Sequence, residues 1–111
     1  VYYSSGHGSV YGEYIEKYKK AVADMALNSG IKFTNPGSIA GLVCYFAKGS
    51  VDFMFNNAGQ DWDHLPTLLI AEESGAIITN SHGEEWSRGE QDIVVANPNI
   101  HSSLLEFFKP V

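Results

Sequence analysis

The chain has 111 residues, 44% hydrophobic and 18% charged, with a formal net charge of −6 at pH 7. That length serves one domain, residues 1–111, with a core of its own. The charge balance argues against a nucleic-acid partner, because duplex binding needs a basic footprint and the densest basic run is Lys17, Lys19 and Lys20. No apolar run approaches the ~20 residues that span a bilayer, so no membrane partner is expected. The single Cys44 cannot pair within the chain, and Val1-Tyr2-Tyr3-Ser4 offers no basic leader, so a cytoplasmic location is expected. A first residue other than Met leads us to expect a processed product or a piece of a longer chain.

In chain order, Tyr2-Tyr3-Ser4 reads as a short strand and Ser5-Gly6-His7-Gly8-Ser9 as a loop. An anion-binding nest is the alternative for that loop. Tyr11, Tyr14, Ile15, Tyr18, Ala21, Val22, Met25 and Ala26 recur at helical spacing, opposite a charged face, and Asn28-Ser29-Gly30 closes the helix. Ile31-Lys32-Phe33-Thr34 alternates like a strand, and Asn35-Pro36-Gly37-Ser38 is turn chemistry. The run Ile39 to Ala47 is apolar nearly all round, which predicts a buried helix with Gly41 allowing close packing. At its start, Gly37 and Ser38 either cap the helix or receive an anion or sugar hydroxyl. Val51-Asp52-Phe53-Met54-Phe55 reads as a strand. Its Asp52, expected to be buried, must be paired for structure or belong to a site.

The stretch from Gln60 to Gly75 reads as a loop, a helix and a stop. Pro66 suits the first helical turn, Gly75 suits the left-handed position after the last, and Asp63 sits at the helix mouth. There Asp63 is either a simple N-cap or a carboxylate presented to a metal. Ala76-Ile77-Ile78-Thr79 and Asp92-Ile93-Val94-Val95-Ala96 are strands, and the residues from Asn80 to Gly89 between them a polar turn region. Asn97-Pro98-Asn99 leads into a last helix with Ile100, Leu104, Leu105, Phe107 and Phe108 on its apolar side. The alternation predicts an α/β fold: a layered α/β/α domain with a mixed, roughly five-stranded sheet covered by helices. Its binding mouth is expected at the carboxyl ends of the strands.

Few residues then remain as carriers of chemistry. His7, His64, His82 and His101 lack metal-ligand spacing, Cys44 lies in an apolar run that suits an inert thiol, and neither a P-loop nor a nucleophile elbow is present. The candidates are Asp63, Asp61, Asp52, Asn56, His64 and the Gly37-Ser38 turn. Glu72 and Glu73 lie about 14 Å along the helix from Asp63, too far to share a metal with it.

Trp62-Asp63 followed by Glu73-Ser74-Gly75-Ala76 resembles the C-terminal signature of the inositol monophosphatase superfamily, a Trp-Asp and then Glu-Ala-Gly-Gly. Gly37-Ser38-Ile39-Ala40 resembles its Gly-Ser/Thr-Ala-Ala helix start, and Val51-Asp52-Phe53 its Asp-Ala-Tyr strand. Val94-Val95-Ala96-Asn97 resembles the strand before its last helix, and Asp63-His64-Leu65-Pro66 resembles a bacterial branch. The resemblance implies Mg²⁺-dependent hydrolysis of a phosphate monoester, an inositol or sugar phosphate. It implies that Asp63 is a metal ligand and that Gly37, Ser38 and Ile39 contact substrate hydroxyls. Asn56 stands where the family has a substrate-touching carboxylate, Thr34 where many members have arginine, and Asn80 where an aspartate is usual. Asp52 would shape that region or touch a hydroxyl.

The family's Gly-Glu-Glu and Asp-Pro-x-Asp-Gly-Thr stretches have no match here. The resemblance therefore implies the C-terminal half of such a fold, inactive alone, with the missing N-terminal half as partner and a homodimer possible. The alternative is a non-catalytic binding or assembly module that keeps the half-fold.

Overall fold

The computed structural model describes residues 12–34, 36–57 and 59–109. The expected Tyr2-Tyr3-Ser4 strand and the Ser5–Ser9 loop lie outside them. The elements are α1 (Gly12–Asn28), α2 (Ile39–Ala47), β1 (Phe53–Asn56), α3 (Asp61–Glu73), β2 (Ile77–Thr79), β3 (Ile93–Ala96) and α4 (His101–Leu105). A 3-10 turn, Glu106–Phe108, extends α4. None of the described helices is long and apolar enough to cross a membrane.

The sheet explains the layering. β3 lies in the centre, antiparallel to β1 on one side and β2 on the other, with Met54 and Ile78 both opposite Val95. Successive side chains of a strand point to opposite faces, so this register sorts the apolar residues into two sets. Phe53, Phe55, Val94 and Ala96 pack with Tyr18, Ala21 and Met25 of α1 and with Leu104 and Phe108. Met54, Ile93 and Val95 pack with Ile39, Leu42, Val43 and Phe46 of α2 and Leu68 and Ala71 of α3. The α/β/α layering expected from the sequence is present, and β1 and β3 are buried on both faces.

The sheet itself corrects the expectation. Three strands are present among the described residues rather than about five, and their pairings are antiparallel rather than mixed. Ile31–Thr34 has strand-like alternation but joins no ladder among the described residues: Lys32, Phe33 and Thr34 are exposed, so the pattern finds no face to bury. α2 is likewise not buried all round. Ile39, Leu42, Val43 and Phe46 face the core, while Cys44 and Tyr45 are exposed. Its apolar content therefore exceeds what its inner face needs.

A buried carboxylate ties the layers together. Asp92, just ahead of β3, accepts the Tyr18 hydroxyl on Oδ1 at 2.6 Å, the Ser81 N–H on the same oxygen at 3.1 Å and the Ser81 hydroxyl on Oδ2 at 2.7 Å. The Tyr18 hydroxyl also lies 3.0 Å from the Asn56 carbonyl at the end of β1. Its ring packs edge-on against Phe108 and tilted against Phe55. On the same side of the sheet, buried His101 of α4 bonds Thr79 of β2 at 2.9 Å, and burial pushes its imidazole pKa down.

Tyr18→Phe keeps the packed ring but strips Asp92 of a donor. It should cost about 1.5–3 kcal/mol, the range for hydrogen bonds to charged groups. Urea unfolding reads this directly, and an unchanged midpoint would show that the tie contributes nothing.

Candidate functional site

Short connections on either side of β1 set the polarity of the helices. α2 ends six residues before β1 and α3 begins five residues after it, so both run back against the strand. The N-termini of α2 and α3 therefore lie at the end of the sheet where β1 finishes. Their C-termini lie at the other end, where Ala47, Gly49, Ser74 and Gly75 line a groove of about 650 Å³ with Asn97 and Pro98.

That polarity separates the residues expected to work together. Gly37, Ser38, Ile39, Asn56, Asp61, Asp63 and His64 fall at the helix-N-terminal end. Asp52 does not. It precedes β1, is exposed, and lines the groove at the opposite end. The expectation that Asp52 is buried fails because strand burial begins one residue later, at Phe53.

At the start of α2, Gly37 has a φ of +78° and Ser38 is the N-cap, its Oγ accepting the Gly41 N–H at 3.1 Å. The capping reading of Ser38 is thus realised. Gly37 and Ser38 are exposed, Ile39 is turned into the core, and Asn56, the last residue of β1, is buried.

α3 begins earlier than Pro66 suggests. Its N-cap is Gln60, and Asp63 is the third helical residue, closing a capping box in which its Oδ2 accepts the Gln60 N–H at 3.0 Å. Pro66 consequently lies inside the helix, where it has no N–H for the Trp62 carbonyl four residues back. The capping box makes the turn before the proline worth forming. At the other end the Gly75 expectation holds: with φ +90° it donates to Glu72 O, and Ala76 donates to Ala71 O, the paired bonds of a Schellman stop.

The half-buried Asp63 therefore has one oxygen engaged. Among the described residues, Oδ2 carries the backbone bond and no hydrogen bond reaches Oδ1. Asp61 is spoken for: its Oδ2 accepts Arg88 Nε at 2.8 Å. That hydrogen bond and the guanidinium charge outweigh desolvation and hold its carboxyl below the usual carboxylate range.

Three side chains from the β2–β3 connection brace this corner. Arg88 holds Asp61, Gln91 donates to the Gly59 carbonyl at 2.8 Å, and the Trp86 ring stands edge-on to His64, centroids 6.0 Å apart. Trp86 is itself fixed by its Nε1 bond to Glu90 O at 2.9 Å. By sequence alone Asn80–Gly89 is a polar turn region. A tryptophan inside so polar a run was the available sign that it packs on something.

No group of three or more His, Cys, Asp or Glu residues is placed to hold a metal ion among the described residues. Mg²⁺ demands near-octahedral oxygen ligation, so the donor set of the described residues does not make a complete site. Among them, Asp63 Oδ1 is an oxygen that could serve as one ligand of such a site.

The sequence profile of the inositol monophosphatase family matches residues 1–109. An inositol monophosphatase of Mesembryanthemum crystallinum is 35% identical over 74 residues, 66% of this chain and 27% of the relative. The Nus factor SuhB of Vibrio cholerae is 29% identical over 97 residues, 87% of this chain and 36% of the relative. The solved extragenic suppressor protein suhB of Bartonella henselae superposes with a TM-score of 0.76 at 24% identity, covering 94% of this chain and 39% of that one. The chain thus spans between a quarter and two-fifths of the length of these relatives.

Arg88→Ala removes the first cause of the Asp61 shift. The Asp61 pKa should rise toward 3.8, its ordinary value, in a carbon-detected NMR titration of the side-chain carboxyls. An Asp61 that titrates as before would show that the Arg88 contact does not form in solution.

Proposed function

The chain belongs to the inositol monophosphatase family, and from that premise we propose that it is the C-terminal part of a Mg²⁺-dependent phosphatase acting on an inositol- or sugar-phosphate monoester. In this reading it completes the metal site and binds the alcohol portion of the substrate. The observation that carries the reading is the Asp63 carboxylate at the mouth of α3, bonded through Oδ2 and with no hydrogen bond on Oδ1 among the described residues.

When bound, Mg²⁺ would supply an activated water and neutralise charge developing at phosphorus. The chain's own residues have simpler tasks. Asp63 offers Oδ1 and, being pinned through Oδ2, loses little rotamer freedom on doing so. Gly37 and Ser38, exposed at the start of α2, receive hydroxyl groups, with Ile39 anchoring that turn in the core. Asn56, a carboxamide where the family has a carboxylate, both donates and accepts, which suits a neutral hydroxyl. Asp52, exposed at the far end of β1, is left out of the binding set. The remaining metal ligands belong to an N-terminal half, so these residues alone are inactive. We place the protein in the cytoplasm on the strength of its lone Cys44.

A second reading is a non-catalytic binding or assembly module. The neutral Asn56, standing where the family has a carboxylate, favours it.

A phosphate-release assay separates these readings. The natural protein that carries this chain should release phosphate from an inositol monophosphate only with Mg²⁺, and Asp63→Asn should bring release to background. The 111-residue chain by itself should release none. Mg²⁺-dependent turnover by the isolated chain overturns the division into halves. No release by a folded natural protein from any inositol or sugar phosphate favours the module.

A further inference from the structure

His64 is out of place as a surface residue. Its neighbours at the start of α3, Trp62 and Leu65, are exposed, whereas His64 is 1% exposed. The Nε2 edge of this buried ring lies against Gly59. A Cβ on Gly59 would lie 2.8 Å from His64 Nε2 and 3.5 Å from Asp63 Oδ2. Gly59 also has a φ of +101°, which side-chain-bearing residues rarely adopt. Its carbonyl is held by Gln91 from one side, while Trp86 closes over the His64 ring. The residue after Gly59 is Gln60, whose N–H is the group that holds Asp63 Oδ2.

We infer that His64 is a positioning residue for Asp63. Its ring, packed against Gly59, fixes the Gln60 N–H, which pins Oδ2 and leaves Oδ1 as the single oxygen offered to a divalent cation. This inference rests on the reading of Asp63 as a cation ligand. It adds that the histidine beside Asp63 serves the geometry of the carboxylate and makes no contact with the substrate.

The test uses the natural protein that carries this chain, stripped of metal, with Tb³⁺ as the probe and Mg²⁺ as its competitor. Trp62, exposed and adjacent to Asp63, sensitises the luminescence of a bound Tb³⁺. His64→Ala should weaken half-saturation by on the order of 10–100-fold, the usual effect of removing a group that orients a metal ligand. Gly59→Ala should weaken it similarly. His64→Gln, whose amide nitrogen reaches about as far as Nε2, should restore most of the loss, and substrate KM at saturating Mg²⁺ should not change. Asp63→Asn serves as the control and should abolish the signal.

Wild-type half-saturation in His64→Ala, even with a lowered Tm, overturns the inference while a silent Asp63→Asn leaves the underlying reading intact. An unchanged signal in Asp63→Asn overturns that reading itself. Should His64→Ala not fold, Gly59→Ala makes the same comparison: weakened binding supports the inference, and wild-type binding overturns it.

Discussion

The buried Asp92 carboxylate is the constraint on which the rest of the structure depends. At 2% exposure it cannot be left to water, and no salt bridge reaches it among the described residues. Its stability therefore falls to neutral donors: the Tyr18 hydroxyl from α1, and the N–H and hydroxyl of Ser81 after β2. Meeting those demands fixes α1 against the sheet and closes the β2–β3 connection. It also sets where Gln91, the preceding residue, can reach, and Gln91 holds the Gly59 carbonyl. The same tie that makes the three layers cohere thus extends into the loop that presents Asp63.

From that follows a molecule with two unlike ends. At one, the N-termini of α2 and α3 gather Gly37, Ser38, Asn56, Asp61 and Asp63, with Arg88, Gln91 and Trp86 buttressing from the β2–β3 connection. At the other, the helix C-termini surround a groove of about 650 Å³ that includes Asp52. The exposed start of each helix favours anions and hydroxyl groups through its free N–H groups and dipole. A polar, partly neutralised corner with one spare carboxylate oxygen is what a shared metal site would require from one of two contributors.

Much of this was legible in the sequence, because local chemistry was decisive there. The Ser38 cap, the Gly75 stop, the tyrosine-bearing helix α1 and the α/β/α layering all follow from spacing that neighbouring structure reinforces. What was not legible depended on tertiary context. The Ile31–Thr34 alternation reads as a strand, but among the described residues no partner backbone accepts it. Asp52 looks buried because apolar residues flank it, yet it precedes the point where the sheet is covered. Pro66 marks a helix start by rule, but the Gln60–Asp63 capping box stabilises an earlier turn. The bracing of the start of α3 by residues 86–91 joins positions 22 to 32 apart, a relation no local window contains.

The central claim is that Asp63 Oδ1 is the oxygen this chain contributes to a divalent-cation site. The most direct measurement is an anomalous-difference map from crystals of the natural protein soaked in Mn²⁺. The account predicts a peak within coordination distance of Asp63 Oδ1, with Oδ2 still bonded to the Gln60 N–H. A well-occupied cation bound elsewhere, with Asp63 making only its capping bond, would contradict it.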